Sequence, residues 1–266
     1  MNEIWSDQVG PADAPLVVLV HGTMDRSMGM SRLSRRLDHR FRVLRYDRRG
    51  YGRSTPHSGP FDMAAQVRDL MALLADRPAV LVGHSYGGNV VLAAASQFPD
   101  QICGVGVYET PLSWEPWWPG TTAGAAARAT TGDAAEAAER FMRRLISDAA
   151  WEALPERTKV TRRAEGPAMV GELRDLQANE PWSGSDIVCP VVLGYGSLAR
   201  EHHRDGMRFV RAQIQASTLV ELPGCRHDAP MSHSELFASQ IIEPLMRKVG
   251  GSWTDALSIS RPAAAP

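Results

Sequence analysis

Gly83-His84-Ser85-Tyr86-Gly87-Gly88 follows directly on the apolar run Ala79–Val82 and opens a stretch with helical spacing, Gly87–Gln97. A serine with glycine two residues away on either side, set between a strand and a helix, has the G-x-S-x-G form of a nucleophile elbow. The tightness of such a turn explains the glycines. The chain reverses so sharply that Ser85 is forced into a strained backbone conformation, and side chains at 83 or 87 would collide across it. Its hydroxyl is left clear of the sheet, at the positive end of a helix. Taken alone, the six residues also read as a glycine-rich turn with an incidental serine; the strand before and the helix after favour the elbow.

Outward from the elbow, short apolar runs recur at Leu16–Val20, Phe41–Tyr46, Ile102–Tyr108, Pro190–Tyr195 and Ser217–Leu222. Several are apolar almost without interruption, as strands buried on both faces are. Helical patterns lie between them at Ser31–Leu37, Phe61–Leu74, His202–Gln215 and Glu235–Val249. This alternation predicts an α/β fold, a mostly parallel central sheet flanked by helices. It breaks once. Residues 110–186 carry helical patterns and no clear strand, opening with Pro111-Leu112-Ser113-Trp114-Glu115-Pro116-Trp117-Trp118-Pro119. The expected organisation is a core of 1–109 and 187–250, a helical insertion at 110–186 and a frayed tail at 251–266.

The composition suits one ordinary globular domain: 266 residues, 44% hydrophobic and 22% charged. A net charge of -1 gives no electrostatic reason to expect nucleic acid or a charged membrane surface, and a neutral or weakly polar small molecule fits better. Lys159 and Lys248 are the only lysines, an arginine-weighted usage that suggests a GC-rich bacterial source. Cys103, Cys189 and Cys225 are widely spaced, so neither a zinc cluster nor a disulfide framework is expected. With no signal-like start and no membrane-spanning stretch, a cytoplasmic location is the simpler reading. Self-association as a homodimer is left open.

A serine hydroxyl is a weak nucleophile at neutral pH and needs a base, most often histidine. Among eight histidines, His227 in Gly224-Cys225-Arg226-His227-Asp228 follows the last strand-like run and precedes the final helix, which would bring its loop to the sheet edge that carries the elbow. His21 and His84 sit in motif loops and read as structural, His202 and His203 as solvated helix residues. His233 is the rival base, although Ser232-His233-Ser234-Glu235 looks like a helix start. An acyl-transfer oxyanion also needs fixed N–H donors. The backbone of Tyr86 is the expected first donor. The second should come from His21-Gly22-Thr23-Met24, with Thr23 preferred and Met24 the alternative.

Val20-His21-Gly22-Thr23, Tyr46-Asp47-Arg48-Arg49-Gly50-Tyr51-Gly52-Arg53-Ser54, the elbow and Gly224-Cys225-Arg226-His227 together resemble the α/β-hydrolase superfamily, in order and in separation, over nearly the whole chain. The resemblance implies a cap inserted after the sixth strand, and a triad acid. In many relatives that acid follows the seventh strand as G-x-x-D, but Gly194-Tyr195-Gly196-Ser197 has serine there. Some branches, certain haloalkane dehalogenases among them, carry it one strand earlier. Here Tyr108-Glu109-Thr110-Pro111 offers Glu109 to orient His227. A plain hinge residue is the alternative for Glu109, and Asp205 is a further candidate acid. Asp228 is expected to point away, and Asp47 to organise its own loop.

Serine at 85, where aspartate would suggest alkyl-enzyme chemistry, favours acyl transfer without metal or organic cofactor. The expected function is a carboxylic ester hydrolase acting on a small, largely apolar molecule. Trp114, Trp117, Trp118, Met142 and Met169 are candidates to line its pocket, or else simply pack the cap on the core. A non-hydrolytic lyase or cyclisation catalyst, and a binding protein without catalysis, are the readings from other classes.

Overall fold

The six apolar runs, with one short polar strand at the edge, form a seven-stranded sheet; the side chains of the central runs alternate between two buried faces. In a computed structural model, which describes residues 3–250, the strands are β1 (Ser6–Val9), β2 (Leu16–Val20), β3 (Arg42–Tyr46), β4 (Ala79–His84), β5 (Ile102–Tyr108), β6 (Val191–Gly196) and β7 (Ser217–Leu222). Their order is β1-β3-β2-β4-β5-β6-β7, all parallel except β1, which runs antiparallel to β3. The tail expected at 251–266 lies outside the described residues.

Leu16, Val18 and Val20 of β2, with Leu81 of β4, face one core; Val17 and Leu19, with Val80 and Val82, face the other. Period-two alternation onto two dry layers is what makes these runs apolar throughout. Helices α1 (Ser31–Leu37), α2 (Met63–Leu74) and α3 (Tyr86–Gln97) follow β2, β3 and β4 in turn. Between β5 and β6 come α4 (Ala123–Arg128), α5 (Ala134–Ile146), α6 (Asp148–Glu152), α7 (Glu156–Ala164) and α8 (Gly166–Ala178), and α9 (Glu201–Gln213) joins β6 to β7. The five helices α4 to α8 lie between the end of β5 at Tyr108 and the start of β6 at Val191. In chain order they follow the fifth of the described strands, where the family resemblance implies the sixth.

Two elements depart from the sequence reading. The edge strand β1, Ser6-Asp7-Gln8-Val9, carries a single apolar residue and so gives no strand signal; pairing with β3 and the ion pair of Asp7 with Arg45 hold it. The helix expected at Glu235–Val249 is three segments: a turn at Ser234–Phe237, a π-helical stretch at Ala238–Ile242 and α-helix over 243–250.

The glycines of the elbow are sites of close approach. A Cβ on Gly87 would lie 2.3 Å from the Val20 carbonyl oxygen, and one on Gly83 would lie 2.4 Å from the Gly87 carbonyl oxygen. Both clashes are with backbone, which cannot swing aside. Gly87→Ala is therefore expected to destabilise the fold by about 1–3 kcal/mol. A lowered urea midpoint at unchanged slope is the measurement, and an unchanged midpoint would refute the packing argument.

Candidate active site

Parallel strands end at one edge of the sheet, so the loops after β2, β4, β5, β6 and β7 meet there. Ser85 follows β4 with φ 54° and ψ −126°, a left-handed strain that the turn into α3 imposes on a non-glycine residue. Glu109 follows β5, also at positive φ (47°), and its side chain is fully buried. Both of its carboxylate oxygens have partners: His227 Nδ1–H donates to Oε2 at 2.8 Å, and the Gly196 N–H at the end of β6 donates to Oε1 at 2.9 Å.

The loop that carries His227 is held by neighbouring strand ends. His84 Nε2–H donates to the His227 carbonyl at 2.7 Å, and the Tyr108 hydroxyl donates to the Arg226 carbonyl at 3.0 Å. Ser197, where the family resemblance implies aspartate, accepts the Gly224 N–H on its Oγ at 2.8 Å. With Nδ1 committed to Glu109, Nε2 is the ring nitrogen left for Ser85. The two residues border one cavity of about 620 Å3, although no hydrogen bond joins them. Such contacts are commonly long before substrate enters.

The loop His21-Gly22-Thr23-Met24 is fixed by a buried ion pair. Arg48 donates Nε–H to the His21 carbonyl at 3.0 Å and Nη2–H to the Gly22 carbonyl at 3.1 Å. It also donates its backbone N–H to His21 Nε2, which leaves His21 Nδ1–H to donate to the Gly22 carbonyl. Arg48 pairs with Glu172 of α8 at 2.6 Å, both side chains having no solvent exposure. Burial pulls the Arg48 pKa down, but the charge and hydrogen bonds of Glu172 outweigh it and keep the guanidinium protonated. Glu172 further accepts from the Thr23 and Tyr51 hydroxyls, each at 2.7 Å, and the guanidinium lies over the Tyr86 ring. The backbone N–H groups of Thr23, Met24 and Tyr86 make no hydrogen bond among the described residues.

Several candidates fall elsewhere. Asp205 is exposed and paired with Arg208, and His233 is exposed beside Ser232. His202 and His203, read as solvated, both border the cavity, and His203 stacks on His227 with ring centroids 4.7 Å apart. The start of α9 lies at the same sheet edge, which helical spacing alone does not reveal. Of the five pocket candidates, Trp118 and Met142 line the cavity. Trp114 packs edge-on against Trp182, Trp117 is 42% exposed against Phe209, and Met169 lies in the core of the helical insertion. Lining residues that the sequence reading missed include Phe141, Leu173, Leu176 and Arg128. Glu109, His203 and His227 bring one ligating atom each within 4.8 Å of one another, so a metal held there would have to displace the proton between Glu109 and His227. Among the described residues no helix is long and apolar enough to cross a membrane.

The alpha/beta hydrolase family model matches residues 17–240. A pimeloyl-[acyl-carrier protein] methyl ester esterase of Chromobacterium violaceum is 27% identical over 247 residues, covering 87% of this chain and 94% of its own. Among solved structures, a thermophilic esterase of Thermogutta terrifontis shares the fold at TM-score 0.72 and 24% identity, over 92% of this chain and 93% of that one. An enol-lactonase of Burkholderia xenovorans does so at TM-score 0.70 and 23% identity, over 90% and 95%. The match to an uncharacterized Mycobacterium bovis protein, 34% identical over 91 residues, covers 33% of this chain and only 27% of that protein's length.

Two outcomes follow from these contacts. Glu172→Ala strands a buried guanidinium and should cost about 3–5 kcal/mol of stability in chemical denaturation; a loss under 1 kcal/mol would show that Arg48 finds water or another partner. Burial, then the charge of His227, pushes the His84 pKa down to about 3. Below pH 6.5 the unfolded chain therefore takes up a proton that folded His84 refuses, and stability falls as pH falls through that window. From pH 7 to 5 this one histidine should remove about 2 kcal/mol. His84→Gln, whose amide can still donate to the His227 carbonyl, should flatten the decline; an unchanged slope would be the contrary result.

Proposed function

The chain belongs to the alpha/beta hydrolase family, and from that premise we propose that it is a serine hydrolase cleaving an ester-type bond of a small molecule through an acyl-enzyme. The observation that carries this reading is the buried Glu109–His227 hydrogen bond at the cavity that holds Ser85. Glu109 fixes the tautomer in which Nδ1 bears the proton and Nε2 is free as a base, and it stabilises the imidazolium that forms when Nε2 takes the Ser85 proton. Ser85 Oγ then attacks the carbonyl carbon. The oxyanion is received by the unengaged N–H groups of Tyr86 and Thr23, with Met24 as the alternative second donor. His227 returns its proton to the leaving alcohol, and water activated by the same nitrogen releases the acid.

Residues 110–186 act as the cap in this reading, with Trp118 and Met142 among the side chains that shape the substrate site. The names of relatives, a methyl ester esterase and a Mycobacterium tuberculosis lipase 35% identical over 103 residues, agree with ester chemistry. No cofactor enters the scheme, and the three free cysteines suit the cytoplasm.

A fluorophosphonate probe should label the wild-type protein and leave Ser85→Ala unlabelled. On any ester turned over, Glu109→Gln should lower kcat by about 10^3- to 10^4-fold, the scale seen when a triad carboxylate becomes an amide. Absence of labelling would sink the serine-hydrolase reading. A Glu109→Gln enzyme within tenfold of wild type would remove Glu109 from the triad and keep the hydrolase.

A further inference from the structure

We propose that the substrate carries a carboxylate remote from its ester carbonyl, and that Arg128, at the end of α4, binds it. The reaction at the other end rests on the serine-hydrolase reading above. Arg128 lines the cavity shared by Ser85 and His227 and is partly buried. Among the described residues its guanidinium has neither ion pair nor hydrogen bond. The most deeply inserted guanidiniums have carboxylate partners: Arg26 with Glu165, Arg45 with Asp7, Arg48 with Glu172 and Arg49 with Asp69. Burial alone lowers the Arg128 pKa, with no carboxylate near enough to offset it.

Its surroundings are apolar. A Cβ placed on Gly124 would lie 3.3 Å from Leu173 Cδ2 and 3.4 Å from Arg128 Nη1, so the guanidinium and the Leu173 side chain both lie over Gly124. Five arginines border the cavity, at 128, 144, 162, 200 and 226, of which Arg162 pairs with Glu165; three carboxylates border it, one of them the Glu109 already engaged by His227. In a chain of net charge -1 this is a local excess of positive charge. Asp25 also borders the cavity, but burial raises its pKa, outweighing the opposing charges of Arg162, Arg48 and Arg26. A partly desolvated cation without a counterion is costly, and a carboxylate accepting two parallel N–H bonds from its fork relieves that cost. A single guanidinium matches the single charge of a carboxylate. Apolar Phe141, Met142 and Leu173 line the same cavity, and they fit an alkyl spacer between the two ends.

The substrate class is thus the half-ester of a dicarboxylic acid. Ser85 Oγ bonds to the ester carbonyl carbon, the ester C–O bond breaks, and the alcohol leaves with the proton from His227. Water then cleaves the acyl-enzyme, releasing a dicarboxylate and a proton.

Binding separates this claim from turnover. Ser85→Ala protein would be titrated calorimetrically with methyl half-esters of succinic through suberic acid, and with the neutral methyl ester monoamides of the same acids. At the best chain length the half-ester should bind about tenfold or more tightly than its amide, the scale of a charge-assisted contact. That preference should collapse to about twofold in Ser85→Ala/Arg128→Gln and return in part with Arg128→Lys, each variant first shown to keep the parent's urea midpoint. Equal affinity for half-ester and amide, no binding of either at millimolar concentration, or a preference undiminished without Arg128 would each overturn the proposal. Preferential binding combined with a wild-type protein that neither hydrolyses half-esters nor reacts with fluorophosphonate would leave the carboxylate site standing and remove the hydrolase reading.

Discussion

A carboxylate with no exposure to water must have its charge met by the protein, and Glu109 is such a group. One oxygen is met by the Gly196 N–H and the other by His227. Those contacts draw the end of β6 and the loop after β7 toward the end of β5. The Glu109 backbone accepts positive φ to place the carboxylate there. His84 and Tyr108, the last residues of β4 and β5, then hold the carbonyls of residues 227 and 226, so the position of the imidazole is determined from several directions. The serine at 197 is consistent with this arrangement. With a carboxylate from the end of β5 already on His227, the side chain after β6 ties down the histidine loop through Gly224.

The Arg48–Glu172 pair carries a second constraint from the sheet edge into the helical insertion. Arg48 grips the carbonyls of His21 and Gly22, while Glu172 on α8 takes the Thr23 hydroxyl as well as the guanidinium. The proposed oxyanion loop and α8 are therefore parts of one buried polar network. Buried ion pairs add little net stability over apolar packing, but breaking one is costly, because the survivor is left charged in a dry place. Swinging α8 away from the sheet would do that to Arg48.

Much of this was legible in the sequence, for reasons that differ by element. The parallel strands announce themselves because burial on both faces makes them apolar throughout, as in Leu16–Val20. The elbow is legible because its glycines are demanded by backbone contacts within a short stretch of chain. Glu109 could be picked out because the usual acid position holds Ser197, which leaves few carboxylates at strand ends. Features that depend on long-range contact stayed hidden. β1 has almost no apolar pattern, since it is an edge strand paired on one side only. His203 looks like a helix-surface residue until α9 is placed beside the histidine loop. Trp114 and Met169 have the composition of pocket residues but serve packing, and a side chain's direction within a helical insertion cannot be read from spacing alone.

Net charge illustrates the same limit for function. A balance of -1 is an average over the surface, and it argues for an uncharged ligand only if charge is evenly spread. It is not: carboxylates neutralise the arginines around the proposed oxyanion loop, whereas among the described residues the guanidinium of Arg128 in the cavity wall has no such partner. An unpaired cation in an apolar wall is unfavourable for folding, and proteins retain such groups where a ligand completes them. Of the pocket side chains considered from the sequence, Trp118 and Met142 border the cavity; Phe141 and Leu173 join them, and in the proposed site Arg128 supplies the polar end. A site built that way discriminates more sharply than an apolar pocket can, because a neutral analogue would leave the guanidinium desolvated and unmatched.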